Sequence, residues 1–296
     1  MQLRTSDLAA ATGGVLHGPD VVVDGASQDS RQVSPGQLFV PLVAGRDGHH
    51  FIAHALAAGA AAYLTQGPRH GGTAVEVPDT RAALQAAGRL ARRRLSVPVI
   101  GITGSVGKTS VKDLLAAVLR RRLVTAASER SFNNELGVPL TLLGAPDASE
   151  AVVVEMGARG IGHIRDLCSV AQPTVGVVTR VAAVHTEVFG SIEEVAIGKG
   201  ELVEALPATG TAVLNAGDER VAAMAARTTA RVLTYGATGD VRGAGVESGP
   251  DLRARFTLET PWGSVPVELA VRGLHQADNA LAAAAAALAC GVDLEA

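Results

Sequence analysis

From residue 97 onward, short apolar runs alternate with helical stretches, and this rhythm constrains the fold more than any other feature. Buried runs that read as strands lie at residues 97–103, 151–155, 174–179, 211–215 and 231–235. Helical patterns separate them at residues 106–121, 161–170, 191–206 and 219–226. Strands without polar alternation, separated by helices, predict a parallel sheet covered on both faces. A β-hairpin around Pro261-Trp-Gly263 and a helix over residues 275–290 follow.

The first 88 residues follow a different pattern, with shorter strand-like runs, turn clusters and an Ala-rich helix. We expect a strand over residues 37–43, a helix over 50–58, a strand over 61–65 and a helix over 79–95. Thr5-Ser6-Asp7 is expected to cap a first short helix. The sequence therefore predicts an α/β protein of two domains, residues 1–88 and 89–296, and an apolar fraction of 47% suffices for both cores.

The overall composition argues against several kinds of partner. A net charge of −3 gives no reason to expect nucleic acid, and no run of 18 apolar residues indicates a membrane span. The start of the chain lacks the pattern of a signal peptide. Cys168 and Cys290 lie in apolar stretches of the sequence, which favours two buried thiols over a disulfide. Free thiols are typical of proteins in the reducing cytoplasm.

A glycine-rich loop stands between the strand at 97–103 and the helix that follows it. Its residues are Gly104, Ser105, Val106, Gly107, Lys108, Thr109 and Ser110. Glycines let backbone amides converge on phosphate oxygens, Lys108 would reach the β/γ-phosphates, and Thr109 would bind Mg²⁺. Ile102 replaces the first glycine of the full Walker pattern. Phosphate binding is the interpretation favoured over an ordinary glycine-rich turn.

Two further groups follow strands of the same predicted sheet. Glu155 closes an apolar strand, where a Mg²⁺ ligand is needed beside a phosphate loop. His185 follows the strand at 174–179 by a short loop, although a lone loop histidine is more often a surface group. Ligands in such sheets bind at the carboxyl ends of the strands, so both residues are candidates for the site.

Lys199 lies within the apolar stripe of the helix over residues 191–206. A buried ammonium without a partner is costly, so this amine should have a partner, be neutral or be modified. The alternative is a lysine that extends from the edge of the stripe into solvent. Only three of the 26 basic residues are lysines, namely Lys108, Lys112 and Lys199, which suggests that an amine is required at these positions.

Taken together, these segments resemble the Mur ligases of bacterial cell-wall synthesis. The motifs that carry the resemblance are Thr103-Gly-Ser-Val-Gly-Lys-Thr109, the stretch 131–143 with Asn133 and Asn134, Glu155-Met-Gly-Ala158, the stretch 185–191, Gly198-Lys-Gly-Glu-Leu202 and Gly273-Leu-His-Gln-Ala-Asp-Asn279. In the N-terminal part, Asp29-Ser-Arg31 and Asp47-Gly-His49 resemble the UDP-binding domain of the family. The paired asparagines and Glu-Met-Gly favour the branch that adds D-Ala-D-Ala over its tripeptide-forming sister.

The resemblance implies a reaction and assigns residues to it. ATP phosphorylates the terminal carboxylate of UDP-MurNAc-tripeptide, and the amine of D-Ala-D-Ala attacks the acyl phosphate. Lys108, Glu155, His185 and Lys199 are then the expected catalytic group, and Thr109, Glu155, His185 and carbamylated Lys199 the expected Mg²⁺ group, with CO₂ as the source of the carbamate. The nucleotide residues are those of the loop 104–110 together with Asn133, Asn134, His275 and Asn279. The UDP-substrate residues are Ser30, Arg31, Gly45, Asp47, Gly48 and His49.

The family pattern is not matched everywhere. Gln276 stands where asparagine is usual, and Arg180 and Gly217 replace an expected Asn and Asp. The resemblance further implies a C-terminal Rossmann-like domain of roughly 100–150 residues, which is absent from this chain. A monomeric cytoplasmic ligase is expected. The alternatives are a tripeptide-forming or folylpolyglutamate-synthetase-like ligase, or a nucleotide-binding module without catalysis.

Overall fold

The computed structural model describes residues 1–183 and 190–295, which divide into two compact units. The first unit comprises Met1–Ser96 and Glu135–Ala148, and the second comprises Val97–Asn134 and Ser149–Ala296. The boundary expected between residues 88 and 89 falls inside a helix that spans Thr80–Arg94. Among the described residues, no helix combines the length and apolar character needed to cross a membrane.

The first unit contains two small sheets. Strands β1 (Gln2–Arg4) and β3 (Val22–Asp24) form an antiparallel pair. The five-stranded sheet has the order β2-β7-β6-β5-β4, with β2 antiparallel to β7 and the other pairs parallel. Its strands are β2 (Val15–His17), β4 (Ala26–Ser27), β5 (Leu38–Phe39), β6 (Ala62–Thr65) and β7 (Ala74–Glu76). The strand expected over 37–43 is thus much shorter, and Pro41, which has no N–H to donate, follows closely after it.

Four helices belong to this unit: α1 (Thr5–Thr12), α2 (Ile52–Ala57), α3 (Thr80–Arg94) and α5 (Gly137–Gly144). A 3₁₀ turn, Gly48–Phe51, leads into α2. Asp79 caps α3 by accepting from the Arg81 and Ala82 amides, at 2.7 and 3.2 Å. The local cap expected for α1 is wrong, because the Ser6 amide instead donates to Asp20, fourteen residues away, at 3.0 Å.

The second unit is built on a six-stranded parallel sheet. Its order is β13-β12-β11-β8-β10-β9. The strands are β8 (Val99–Thr103), β9 (Thr125–Ala127), β10 (Ala151–Glu155), β11 (Val175–Val178), β12 (Thr211–Asn215) and β13 (Arg231–Tyr235). From the central strand β8 the chain passes to the edge strand β9, returns through β10, and crosses to β11 on the other side of β8. The predicted parallel sheet is confirmed, and β8 lies where the connections change direction.

Helices accompany this sheet as expected: α4 (Lys108–Leu119), α6 (His163–Ala171), α7 (Ile192–Glu204), α8 (Glu219–Ala222) and α9 (Gln276–Ala289). The antiparallel strands β14 (Arg242–Ser248), β15 (Arg253–Thr260) and β16 (Gly263–Arg272) form a separate sheet that includes the predicted hairpin. Helix α9 packs closely along α4, because most of its buried positions are alanines. This packing brings the start of α9 to the start of α4, next to the glycine-rich loop.

Candidate nucleotide site

The strands of the second unit end in register at one edge of the sheet. Glu155, the last residue of β10, pairs with Ile102, and Val178 of β11 pairs with Thr103. Asn215 and Tyr235 end β12 and β13 as a pair. The glycine-rich loop starts directly after Thr103. This edge therefore collects the polar groups that follow buried strands, as the sheet topology requires.

The glycines of the loop are required by its shape. Gly104 has a φ of +147°, and a Cβ there would lie 1.9 Å from the Thr179 hydroxyl oxygen. Gly107 has a φ of +89°, and a Cβ there would lie 2.6 Å from Oδ1 of Asn279. Ile102 is fully buried within β8, so the chain is still extended where the longer Walker pattern has its first glycine. The turn is accordingly tighter, from Gly104 to Gly107.

Lys108 and Thr109 open helix α4 and face different partners. The Lys108 amine donates to the Gly104 carbonyl at 2.8 Å, which folds the side chain over the loop. Burial lowers the pKa of Lys108, and the nearby negative charge of Glu155 opposes that shift. The Thr109 hydroxyl donates to Oε2 of Glu155 at 3.0 Å. Ser110, the next residue, lies in the same first turn.

Glu155 is 1% exposed, and its hydrogen bonds fix it in place. Its second oxygen, Oε1, accepts from the Asn133 side-chain amide at 2.9 Å. Its backbone amide donates to the Ser128 hydroxyl at 3.1 Å. A buried carboxylate beside a threonine hydroxyl supplies the hard oxygen donors that Mg²⁺ prefers. Asn134, which is also predicted for the nucleotide, follows Asn133 in the same loop. Thr109 and Glu155 therefore fit a magnesium ion.

Lys199 is 4% exposed, so the structure excludes the alternative of a lysine that extends into solvent. Its pKa is lowered to about 8, first by burial and then by the positive charge of Lys108. No hydrogen bond or ion pair joins its amine to any residue of the described ranges 1–183 and 190–295. The two amines thus share one electrostatic environment, and Lys199 is the more easily deprotonated.

His185, the remaining predicted metal ligand, lies outside the described residues. Within the part of the chain that is described, no group of three or more His, Cys, Asp and Glu side chains is placed to hold a metal ion. Of the four residues predicted for the metal, the structure brings Thr109 and Glu155 into direct contact.

A cavity of about 110 Å³ adjoins the loop on the side of β12 and β13. Four residues predicted for the nucleotide line it together: Val106, Gly107, His275 and Asn279. The other lining residues were not assigned to the nucleotide from the sequence, and they are Thr179, Arg180, Asn215, Tyr235 and Asp278. Asn215 and Tyr235 could have been found, since each closes a buried strand as Glu155 does.

Several polar groups of this cavity are held by the protein itself. The Asn215 amide donates to the Thr179 carbonyl at 2.9 Å, and the Tyr235 hydroxyl donates to the same carbonyl at 3.0 Å. Burial raises the pKa of Tyr235, which keeps its hydroxyl protonated. Gln276 stands where the family usually has asparagine, and its side-chain oxygen accepts a hydrogen bond from the Asn279 side-chain amide at 2.9 Å.

The residues predicted for the UDP substrate all lie in the first unit. His49 is engaged at both ring nitrogens, because Nδ1 lies 2.6 Å from Asp47 and Nε2 accepts from the Gln66 amide at 3.1 Å. These two hydrogen bonds tie the loop at residues 47–49 to the segment that contains Gln66. A Cβ on Gly48 would lie 2.6 Å from the Leu42 amide nitrogen, so the chain at this position has room only for glycine.

Arg31 is the exposed cation among the residues predicted for the UDP substrate, and its guanidinium is paired with the Asp29 carboxylate at 2.7 Å. Gly45 lies two residues before Asp47, and Ser30 is buried beside Arg31.

With this geometry established, the family can be assigned. The chain belongs to the Mur ligase family, since the model of the Mur ligase middle domain matches residues 102–287. That range contains the loop, Glu155, Lys199 and the cavity.

The chain is similar in sequence and in structure to several ligases of this family. The chain is 43% identical to the UDP-N-acetylmuramoyl-tripeptide--D-alanyl-D-alanine ligase of Mycobacterium tuberculosis (strain ATCC 25618 / H37Rv), in a match that covers 90% of this chain and 58% of the relative. Crystal structure I of MurF from Acinetobacter baumannii superposes with a TM-score of 0.90 and 31% identity, covering 100% of this chain and 66% of that one. The MurF ligase of Thermotoga maritima in complex with ADP superposes with a TM-score of 0.77 and 26% identity, covering 92% and 64%. The chain thus spans less than two thirds of these relatives.

Proposed function

We propose that the protein acts as its named relatives do, as an ATP-dependent ligase that adds D-Ala-D-Ala to UDP-MurNAc-tripeptide. The observation that carries this proposal is the phosphate loop joined to a buried carboxylate, Thr109 to Glu155, in a chain 43% identical to a ligase of that name. The proposal concerns the whole protein, because the chain spans 58% of that relative.

The nucleotide is proposed to bind along the loop, and the structural relative from Thermotoga maritima, a MurF ligase in complex with ADP, supports the use of an adenine nucleotide. The loop amides and Lys108 would hold the phosphates, and the cavity with His275 and Asn279 would take the nucleoside. ATP supplies the phosphoryl group that activates the tripeptide carboxylate as an acyl phosphate. Thr109 and Glu155 would hold Mg²⁺, whose charge offsets that of the phosphates.

The main chemical obstacle is the approach of two anions, the tripeptide carboxylate and the terminal phosphate of ATP. Lys108 lowers this barrier because its ammonium is already positioned over the loop and partly removed from water. Glu155 is held by Asn133 and Thr109 at fixed distances, so it need not reorganise during the reaction.

Lys199 is proposed to react with CO₂ and to carry a carbamate. Carbamylation joins the nitrogen lone pair to the CO₂ carbon and releases one proton, so it requires the neutral amine. A pKa of about 8 makes the neutral form abundant near neutral pH. The resulting anion would then face the positive charge of Lys108, which removes the repulsion between the two amines.

The first unit is proposed to bind the UDP part of the substrate. Arg31 is the residue best suited to a diphosphate, since its guanidinium is exposed and held in orientation by Asp29. His49 and Gly48 support the shape of the loop around Gly45 and Asp47, and Ser30 lies beside Arg31. A cytoplasmic location and a monomeric state remain predictions.

A product assay distinguishes this proposal from its alternatives. ATP and one amine acceptor at a time are incubated with the protein and with one of three acid substrates, UDP-MurNAc-tripeptide, UDP-MurNAc-dipeptide or a folate, and mass spectrometry identifies the product. We expect pentapeptide with D-Ala-D-Ala and none with single amino acids or glutamate. Amide formation with a single amino acid or with glutamate would favour the sister ligases, and ATP binding without any product would favour a non-catalytic module.

A further inference from the structure

Lys112 lies one turn after Lys108 on helix α4, and its amine contacts groups outside the phosphate loop. It is 3% exposed, so its ammonium is as deeply buried as that of Lys199. Unlike Lys199, it is fully paired: the amine donates to the Ser128 carbonyl at 2.9 Å and to the Arg130 carbonyl at 2.8 Å. Its third contact is Asp113 at 3.0 Å. Hydrogen bonds from a buried ammonium are among the strong ones in proteins.

The two carbonyls belong to the loop over residues 128–134, which follows β9. Arg130 adopts a φ of +47°, a left-handed conformation that residues other than glycine rarely take. Such a conformation persists only where surrounding contacts impose it. Lys112 binds the carbonyl of this same residue, so it supplies one of the contacts that hold the loop in its shape.

The same loop holds Glu155. The Ser128 hydroxyl accepts from the Glu155 backbone amide at 3.1 Å, and the Asn133 side chain donates to Oε1 at 2.9 Å. The Asn133 carbonyl also accepts from the Gly157 amide at 2.7 Å. Lys112 therefore binds one part of the loop, and both ends of the loop contact Glu155: Ser128 at its backbone amide and Asn133 at the carboxylate that faces Thr109.

We propose that Lys112 is a positioning residue, whose ammonium holds the 128–134 loop so that Asn133 and Ser128 place Glu155 for a divalent cation. Lys112 itself touches neither nucleotide nor metal in this account. The inference rests on the proposed function, in which Thr109 and Glu155 hold Mg²⁺. It predicts that Lys112 governs how strongly Mg²⁺ enhances nucleotide binding. A substitution of Lys112 should leave the phosphate loop itself intact.

The test compares wild type and Lys112→Met by calorimetric titration of ATP with and without Mg²⁺. Methionine keeps the apolar stem and removes the three donors. We expect the enhancement by Mg²⁺ to fall roughly tenfold or more, as the loss of one charged hydrogen bond implies, with metal-free affinity within about twofold of wild type. Hydrogen exchange of peptides covering residues 128–134 should become faster in the protein without ligand.

A double-mutant cycle with Asn133→Ala separates positioning from general destabilisation. If Lys112 acts through Asn133, the double variant should lose no more of the Mg²⁺ enhancement than the larger single loss. Additive losses, or an unchanged enhancement and unchanged exchange in Lys112→Met, would overturn the inference. Should the methionine variant fail to fold, Lys112→Gln, which keeps two N–H donors, replaces it in the same cycle. A wild type without any Mg²⁺ enhancement would instead count against the proposed function.

Discussion

The electrostatic state of Lys199 gives a prediction whose size follows from the structure. Its pKa is lowered from 10.5 to about 8, so at pH 7.5 about one quarter of the amine is neutral, against about one thousandth for an ordinary lysine. The neutral amine, which is the form that reacts with CO₂, should therefore be about two hundred times more abundant at this position than at an exposed lysine. Lys108→Met should raise the pKa of Lys199, yet leave it below 10.5, because burial is the larger cause.

Lysine labelled with ¹³C makes this measurable, since the chain contains only three lysines. In CO₂-free buffer one ε-carbon signal should titrate near pH 8, and Lys199→Arg should remove that signal. Addition of ¹³C-bicarbonate should produce one carbamate signal in wild type and none in Lys199→Arg. A Lys199 signal that titrates above pH 10, with no carbamate at saturating bicarbonate, would refute the reasoning.

The same shift makes stability depend on pH in a defined direction. The folded pKa of Lys199 lies below its unfolded value, so the protonated amine destabilises the fold, and this penalty is complete below about pH 8. Stability should rise as the pH increases from about 8 to 10.5, by up to roughly 3 kcal/mol. Urea unfolding of Lys199→Met should lack this rise. A parallel pH profile in the two proteins would contradict the assignment.

Three further outcomes are expected from local geometry. Gly104→Ala should cost roughly 1–3 kcal/mol in urea unfolding, because its Cβ would overlap the Thr179 hydroxyl, whereas Gly67→Ala, with open space around it, should cost under about 1 kcal/mol; equal losses would contradict this. Asp79→Ala should cost about 1 kcal/mol of stability through the lost helix cap, with nucleotide affinity unchanged, and Asp79→Asn should restore most of it. Burial raises the pKa of the Cys168 and Cys290 thiols to about 12, so iodoacetamide at pH 8 should label them only after unfolding, and rapid labelling of the native protein would show otherwise.

The sequence predicted those elements whose residues are buried on both faces. Five of the six strands of the parallel sheet were predicted to within two residues, because an uninterrupted apolar run between helices has few other interpretations. In the described part of the second unit, two strands were missed. Strand β9 is only three residues long and half-buried, and β14 contains Gly243 and Gly245 and is mostly exposed. Helix α5 was missed too, because Gly137 and Pro139 suggest a turn, although the first helical turn tolerates proline.

The site was predictable where its chemistry follows directly from a strand. Gly104 to Thr109 and Glu155 stand at strand ends, and the structure brings them together. The role of Lys112 could not be seen, since its partners lie sixteen and eighteen residues away in an irregular loop. The hydrogen bond from the Gln66 amide to His49, seventeen residues apart in the chain, could not be predicted either, because it is a tertiary contact. Such contacts leave no periodic pattern in the sequence.

The central claim, that the loop after β8 binds a nucleotide triphosphate, is tested most directly by calorimetric titration of MgATP into three proteins. Wild type is compared with Lys108→Met and with Arg121→Met, which removes an exposed cation beyond the other end of α4. We predict that Lys108→Met weakens binding by roughly ten- to a hundredfold, as the loss of one charge-assisted contact implies, while Arg121→Met binds as wild type does. Equal affinities in all three proteins would contradict the account.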